Sequence, residues 1–469
     1  MANTSECRWL LVKAQKAVLS PSHDISPASV LVDRTTGKVI EVTTGNKALV
    51  TQTDPTKTEV MVLSKDQVLI PGLLDAHVHL NEPGRTEWEG FATGTRAAAA
   101  GGISTVIDMP LNAIPPTTTP ANFETKLAAA SGQCHVDVGF WGGVVPDNAE
   151  ELPNLISMGV RGFKCFLIES GVDEFPCVNE TQVRLAMDKL ANTNSLFLFH
   201  AEMEAGVSYN VEGDERAYSS FLNSRPQVLE TTAIDMIIRL TREYHQKNKP
   251  VNTHIVHLSA ASAIPAIRAA KKEGLPLTVE TCFHYLNFTS EAIEDGATHY
   301  KCCPPIREAV NRDALWDALL DGTIDYVVSD HSPCTAQLKK LDSGDFAQAW
   351  GGIASVQFGL PVLWSEGRKR GATIQNIVHW LSYAPAKLTQ LSHRKGQVCV
   401  GHDADLAIWR PDAAFDIKIE DIQFKNKLSP YIGKHFQGTV DRTLVRGQVV
   451  FDRAAISSFP PPLGKVILE

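Results

Sequence analysis

Residues 68–80 read VLIPGLLDAHVHL, an apolar run that ends on Asp75-Ala76-His77-Val78-His79. A continuous apolar segment of this length reads as a strand buried on both faces. Side chains two apart on a strand point the same way, so His77 and His79 present two imidazoles side by side, an arrangement that can chelate a metal. The plainer reading is two polar residues on a half-exposed strand, and the apolar lead-in argues against it.

Seven further segments share this texture: GISTVIDMP, HVDVGFWGGV, VRGFKCFL, SLFLFHAE, VNTHIVHLS, PLTVETC and TIDYVVSDHSP. Between them lie amphipathic stretches of helical length such as TEWEGFATGTRAAAAGG, ETQVRLAMDKLANTN and SAIPAIRAAKKEGLP. Eight strands alternating with helices over roughly 300 residues predict an α/β fold, the TIM (β/α)8 barrel. A doubly wound open sheet is the alternative, but it carries a glycine-rich loop after its first strand, and PGLLDAHVHL is not one. Outside this region the pattern turns to short alternating strands: WLLVKAQKAVL, ASVLVDRTTGKVIEV and TEVMVLS before it, ADLAIWRP, AFDIKI and GTVDRTLVRGQVVF after it. Neither end has strands enough for a core of its own. Residues 1–68 and 396–469 are therefore expected to pair into one small β-sandwich beside a catalytic barrel at 69–395.

The 469-residue chain is long enough for this pair of units, and its formal net charge of -9 leaves no basic face for nucleic acid or anionic lipid. Nine cysteines without a Cys-x-x-Cys pair fit free thiols in a reducing compartment. No segment has the make-up of a signal peptide or a membrane span, so an intracellular, soluble protein is expected, in the cytosol or an organelle matrix. The ending VILE is not a peroxisomal signal, and Arg8, Lys13 and Lys16 make a poor transit peptide. The glycosylation patterns at Asn3, Asn179 and Asn287 are then chance matches.

Barrel enzymes place their chemistry where strands end. Lys164 lies in GFKCFL, His200 ends SLFLFH, His257 lies near the end of VNTHIVHL and Asp330 follows DYVVS. Any one of them could be a hydrogen-bonded structural residue, but four strands each ending in a ligand type make coincidence a poor account. His254, three residues before His257, is expected on the opposite face, packed against a helix; His284 and His331 have weak claims. Imidazole and carboxylate suit zinc, with cobalt or manganese as alternatives, yet a protonated lysine would be repelled by a dication. A desolvated lysine can lose its proton and react with carbon dioxide, giving a carbamate that bridges two metals. The expected centre is binuclear: His77, His79, Lys164 and Asp330 at one ion, Lys164, His200 and His257 at the other. Two ions roughly 3.5 to 4 Å apart can share a hydroxide and polarise a carbonyl. Asp330 is placed to shuttle the proton to a departing nitrogen, which makes the reaction class amide hydrolysis.

These residues resemble the amidohydrolase superfamily, specifically its cyclic amidohydrolases, over essentially the whole chain. DAHVHLNEPGRTEWEGF, GFKCFLIESGVDEFP, ETCFHYL, KCCPPIR, SDHSPC and WGGIAS are similar to the allantoinase family, enzymes that open the hydantoin ring of allantoin to allantoate. The resemblance implies the same six ligands of a two-metal centre, usually zinc, with Lys164 carboxylated, a small neutral substrate and a homo-oligomer, often a tetramer. Dihydroorotases carry an arginine where this chain has Asn81, and an asparagine suits a neutral ring with a ureido arm better than a carboxylate. Cys303 stands where related loops have serine, and Gly351 and Gly352 are candidates for close backbone approach to substrate, or a simple turn. A dihydropyrimidinase or hydantoinase is the nearest alternative; a non-catalytic scaffold is a remoter one, since no ligand position is vacant.

Overall fold

The computed structural model describes residues 7–45, 47, 49–206, 213–455 and 459–469; Asn3 lies outside them. Eight strands run β1 (Leu73–Val78), β2 (Ile103–Asp108), β3 (Asp137–Phe140), β4 (Gly162–Phe166), β5 (Leu196–His200), β6 (Asn252–Ile255), β7 (Leu277–Cys282) and β8 (Tyr326–Val328). They are the eight segments expected from sequence. Pairing is parallel from β1 to β3 and from β4 to β8. Two short links complete the ring. Past Trp141 the third strand resumes as Gly142–Gly143, which pairs with Phe163 and Lys164 of β4. Val78, at the end of β1, bridges to His331 beyond β8. A side chain at position 142 would put its Cβ 2.7 Å from the Phe163 ring, so the link requires glycine there.

Helices return the chain between strands, and local chemistry sets their ends. Asn179 accepts from the Gln182 N–H while Gln182 reaches back to Asn179, a capping box that starts the helix Glu180–Leu190. Val183, Ala186, Met187 and Leu190 then form its buried stripe. Full burial of a side chain such as Met187 or Leu190 contributes about 1.5–3 kcal/mol.

The two chain ends do meet in one sheet. Trp9–Ala17, Ser26–Asp33, Lys38–Thr44, Thr58–Val62 and Val68–Pro71 join Leu406–Asp416, His435–Val445 and Gln448–Asp452. The junction is Val68–Pro71, antiparallel to Leu406–Trp409. ADLAIWRP and AFDIKI fall largely in one long strand rather than two, its pairing irregular between Arg410 and Ala414. Arg446 and Gly447 both take positive φ, which suits the tight turn of the last hairpin. Leu10, Val12, Val30, Val32, Leu69, Leu406, Ile408 and Leu444 form the sheet's own core. Ala407, Trp409, Val440 and Val445 belong instead to the barrel's core, so the sheet seats on the barrel. A buried ionic cluster joins the two: Lys395 Nζ reaches Asp137 of β3 at 2.7 Å and Asp405 at 2.6 Å. All nine cysteines are free, and no helix among the described residues is long and apolar enough to cross a membrane.

Candidate metal centre

Parallel closure brings the carboxyl ends of all eight strands to one rim, and the six expected ligands come from five of them. His77 is the last residue but one of β1 with His79 just past the strand, Lys164 lies in β4, His200 closes β5, and His257 and Asp330 follow β6 and β8. None is more than 7% exposed. His77 Nε2 and His79 Nε2 lie 3.1 and 3.4 Å from the same Asp330 oxygen. Lys164 Nζ is 3.2 Å from His77 Nε2. His200 Nδ1 faces His257 Nε2 at 3.0 Å, and the His77 and His257 rings are 5.4 Å apart, so the two groups adjoin. Four imidazoles, one carboxylate and one amine thus turn their donor atoms inward on a shared space. That is the donor chemistry of a site for divalent ions, with nitrogen and oxygen ligands of the kind zinc takes.

The electrostatics agree with that use. Burial pushes the Lys164 ammonium down to about 8, against the pull of Asp330 and Glu280. Burial likewise takes His79 to about 4 and His257 well below its usual range, leaving neutral imidazoles suited to coordination. For Asp330 burial acts upward, yet His77 and His79 outweigh it and hold the carboxyl well below normal, so it is an anion.

Several supporting residues were not singled out from sequence. Glu280 of β7 is wholly buried; its Oε1 takes His77 Nδ1 at 2.5 Å, while its Oε2 takes the Tyr326 hydroxyl at 2.7 Å and lies 3.2 Å from His254 Nε2. Despite burial, these partners keep Glu280 far below the usual carboxylate range. Glu202 Oε2 sits 2.7 Å from His200 Nε2 and accepts from Arg225 at 2.5 Å. The Asn112 amide is 3.5 Å from His79 Nδ1. Each leaves the inward nitrogen of its histidine free for a metal, since an outer hydrogen bond fixes tautomer and ring direction. A carboxylate within an apolar strand, as in PLTVETC, was the one available hint for Glu280.

His254 departs from expectation. It points into the barrel interior, with Nδ1 2.7 Å from the Thr278 hydroxyl and Nε2 toward Glu280. Strand alternation would separate it from His257, but β6 ends at Ile255 and His257 has φ 40°, which turns its side chain back to the centre. His331 points away, 3.2 Å from Glu89. His284 is buried close to Cys282 and Asp330, and neither ring nitrogen has a partner among the described residues.

A cavity of about 350 Å³ opens over the centre, with His79, Lys164, His200, His257 and Asp330 in its wall. Cys303 and Gly351 also line it, and a Cβ at position 351 would come within 3.2 Å of Cys303 Sγ. Gly352 has φ 151° and no room for a Cβ against the Ser332 carbonyl. Asn81 is not among the lining residues; it is buried with φ 62°, and its amide donates to Pro333 O at 3.4 Å.

The amidohydrolase family profile matches residues 68–450. The allantoinase of Saccharomyces cerevisiae is 47% identical over 94% of this chain and 95% of its own length. A protein of Aquarana catesbeiana described as a mitochondrial allantoinase is 54% identical over 70% of this chain and 66% of its own. Among solved structures, the L-hydantoinase (dihydropyrimidinase) of Arthrobacter aurescens superposes with a TM-score of 0.86 at 27% identity, covering 98% of this chain and 99% of the other.

Proposed function

The chain belongs to the amidohydrolase family and, within it, to the allantoinases; on that premise we propose that it hydrolyses the hydantoin-ring amide of allantoin to give allantoate, a step of purine and ureide breakdown. The observation that carries this reading is the end-to-end likeness to the Saccharomyces cerevisiae allantoinase at 47% identity, over a barrel rim bearing six convergent candidate ligands. The hydantoinases share the fold at lower identity and stand as a related family.

His77, His79, Lys164 and Asp330 would hold one divalent ion, and Lys164, His200 and His257 the other, zinc being the ion that suits this donor set best. Two such ions supply Lewis acidity toward a ring carbonyl and a water that is nucleophilic near neutral pH. As a carbamate Lys164 would contribute to both: its neutral amine would add carbon dioxide, forming the N–C bond and releasing one proton. Glu280 and Glu202 hold His77 and His200 by their outer nitrogens. Asp330, on the cavity wall, accepts a proton and delivers it to the departing ring nitrogen. Cys303 and Gly351 give the substrate backbone contacts, while Asn81 acts through the Ser332-Pro333 segment that its amide holds. The working assembly is a homo-oligomer, in our reading a tetramer, in the cytosol or an organelle matrix; the frog relative's mitochondrial description supports the latter.

Allantoin, dihydroorotate, dihydrouracil and plain hydantoin, assayed side by side with the zinc-loaded protein, test the substrate. Allantoin should be turned over most efficiently, and a preference for dihydroorotate overturns the reading of Asn81.

A further inference from the structure

Two lysines stitch the loop that forms one wall of the cavity. Lys301 Nζ donates to the carbonyls of Ala347 at 3.1 Å and Ala349 at 2.6 Å. Lys339 Nζ donates to the carbonyls of Lys301 at 3.3 Å, Trp350 at 3.0 Å and Gly352. Lys301 is 8% exposed, and Lys339 4%. An ammonium has three N–H donors and a neutral amine two, so the three carbonyls around Lys339 fit its charged form.

Neither charge has an anion to meet it. Among the described residues no carboxylate forms an ion pair with Lys301 or Lys339. Burial pushes the Lys301 ammonium below its usual range, and Asp345, a carboxylate whose charge acts against that, is taken up by the N–H groups of Ala347 and Gln348. Arg225, another cation of the cavity wall, is bound to Glu202. Buried charge without a counter-charge is costly, and carbonyl dipoles only partly offset it. Lys301 itself lines the cavity, beside Cys303 and in the same wall system as Asp330.

Opening a neutral cyclic amide creates the missing anion in this cavity: the C–N bond breaks, water supplies the new C–O bond and the proton taken by the departing nitrogen, and the acid formed ionises. We propose that Lys301 is a binding residue for anionic oxygen generated as the ring opens, and that Lys339 is the positioning residue that fixes the 347–352 loop and adds to the positive field there. The ligand class is a small carboxylate bearing a ureide, favoured over its neutral ring precursor. This rests on the reading of the cavity as a cyclic amidohydrolase site.

The test uses the metal-loaded protein with Lys301→Met, Lys339→Met and, to keep a donor for the Ala347 and Ala349 carbonyls without the charge, Lys301→Gln. Binding of allantoate and of plain hydantoin is measured by calorimetry. Loss of one charge-assisted hydrogen bond predicts about 10- to 30-fold weaker allantoate binding in the Lys301 variants. Hydantoin should weaken less than about threefold, and the salt dependence of allantoate binding should shrink. Equal weakening of both ligands would show that the lysines only hold the loop, and unchanged allantoate binding would likewise overturn the proposal. Should the native protein fail to turn over allantoin, the substrate reading fails separately. The lysines are then tested with dihydrouracil and its ring-opened ureido acid.

Discussion

Changing Glu280 to Gln keeps the volume and removes one acceptor from the most tightly tied group beneath the metal centre. In the native protein its two oxygens serve the His77 ring, the Tyr326 hydroxyl and the His254 ring. The amide replaces one oxygen by NH2: turned toward His77 it sets a donor against the Nδ1–H, and turned the other way it removes the acceptor that the Tyr326 hydroxyl uses. Such a mismatch costs about 1–3 kcal/mol. Removing the charge opposite His77 brings the total toward the roughly 3–5 kcal/mol of a broken buried pair. Part of that cost falls on stability and part on the direction of the His77 ring, and loss of an outer ligand partner typically weakens metal binding about 10- to 100-fold. The assay is competition for bound zinc with a calibrated chelator, alongside a denaturant titration. Glu280→Gln should release at least one ion at 10- to 100-fold lower chelator activity and unfold at lower denaturant. Native zinc retention in a folded variant would refute the role given to Glu280.

Lys164→Ala should lose zinc from one or both positions, as read by metal analysis, and reloading of metal-depleted native protein should depend on bicarbonate; full activity of the alanine variant would sink the carbamate. Away from the centre, His135 lies 5.6 Å from the Phe459 ring, its Nδ1 without a partner among the described residues, and burial takes its pKa down to about 4. A depressed histidine leaves the native state with fewer protons than the unfolded chain between pH 6.5 and 4, so stability falls as pH drops through that window. His135→Phe should reduce the loss between pH 7 and 4.5 by about 2–3 kcal/mol, measured by denaturant unfolding; parallel pH profiles would exclude it.

The barrel was legible because each strand is an apolar run bounded by loop residues, and the candidate ligands stood out because they are polar residues at or near the ends of such runs. What escaped depends on tertiary geometry. The 254–257 spacing puts the two histidines on opposite faces only while the chain stays extended, and the left-handed turn at His257 defeats that count. Glu280 lies inside a strand and its value comes from His77, far away in the chain, whereas Glu202, just past a strand, matters because the fold turns its carboxylate to both His200 and Arg225. Asn81 occupied the position where substrate choice was expected, but its amide donates to the Pro333 carbonyl and it is not among the residues that line the cavity. Lys301 and Lys339 gave no periodic pattern, because what they bind is backbone.

The strand Val68–Pro71 carries a consequence for biosynthesis. Its partner Ile408 stands roughly 340 residues after Leu69, so the five amino-terminal strands leave the ribosome long before the sheet can be completed. At about 5–20 residues per second the wait is on the order of 20–70 s. For that time Val68–Pro71 presents an unpaired apolar edge, the kind of surface that invites aggregation. Shielding that edge with chaperones, or shortening the wait by faster translation of the barrel, should raise the share of new chains that reach the folded state.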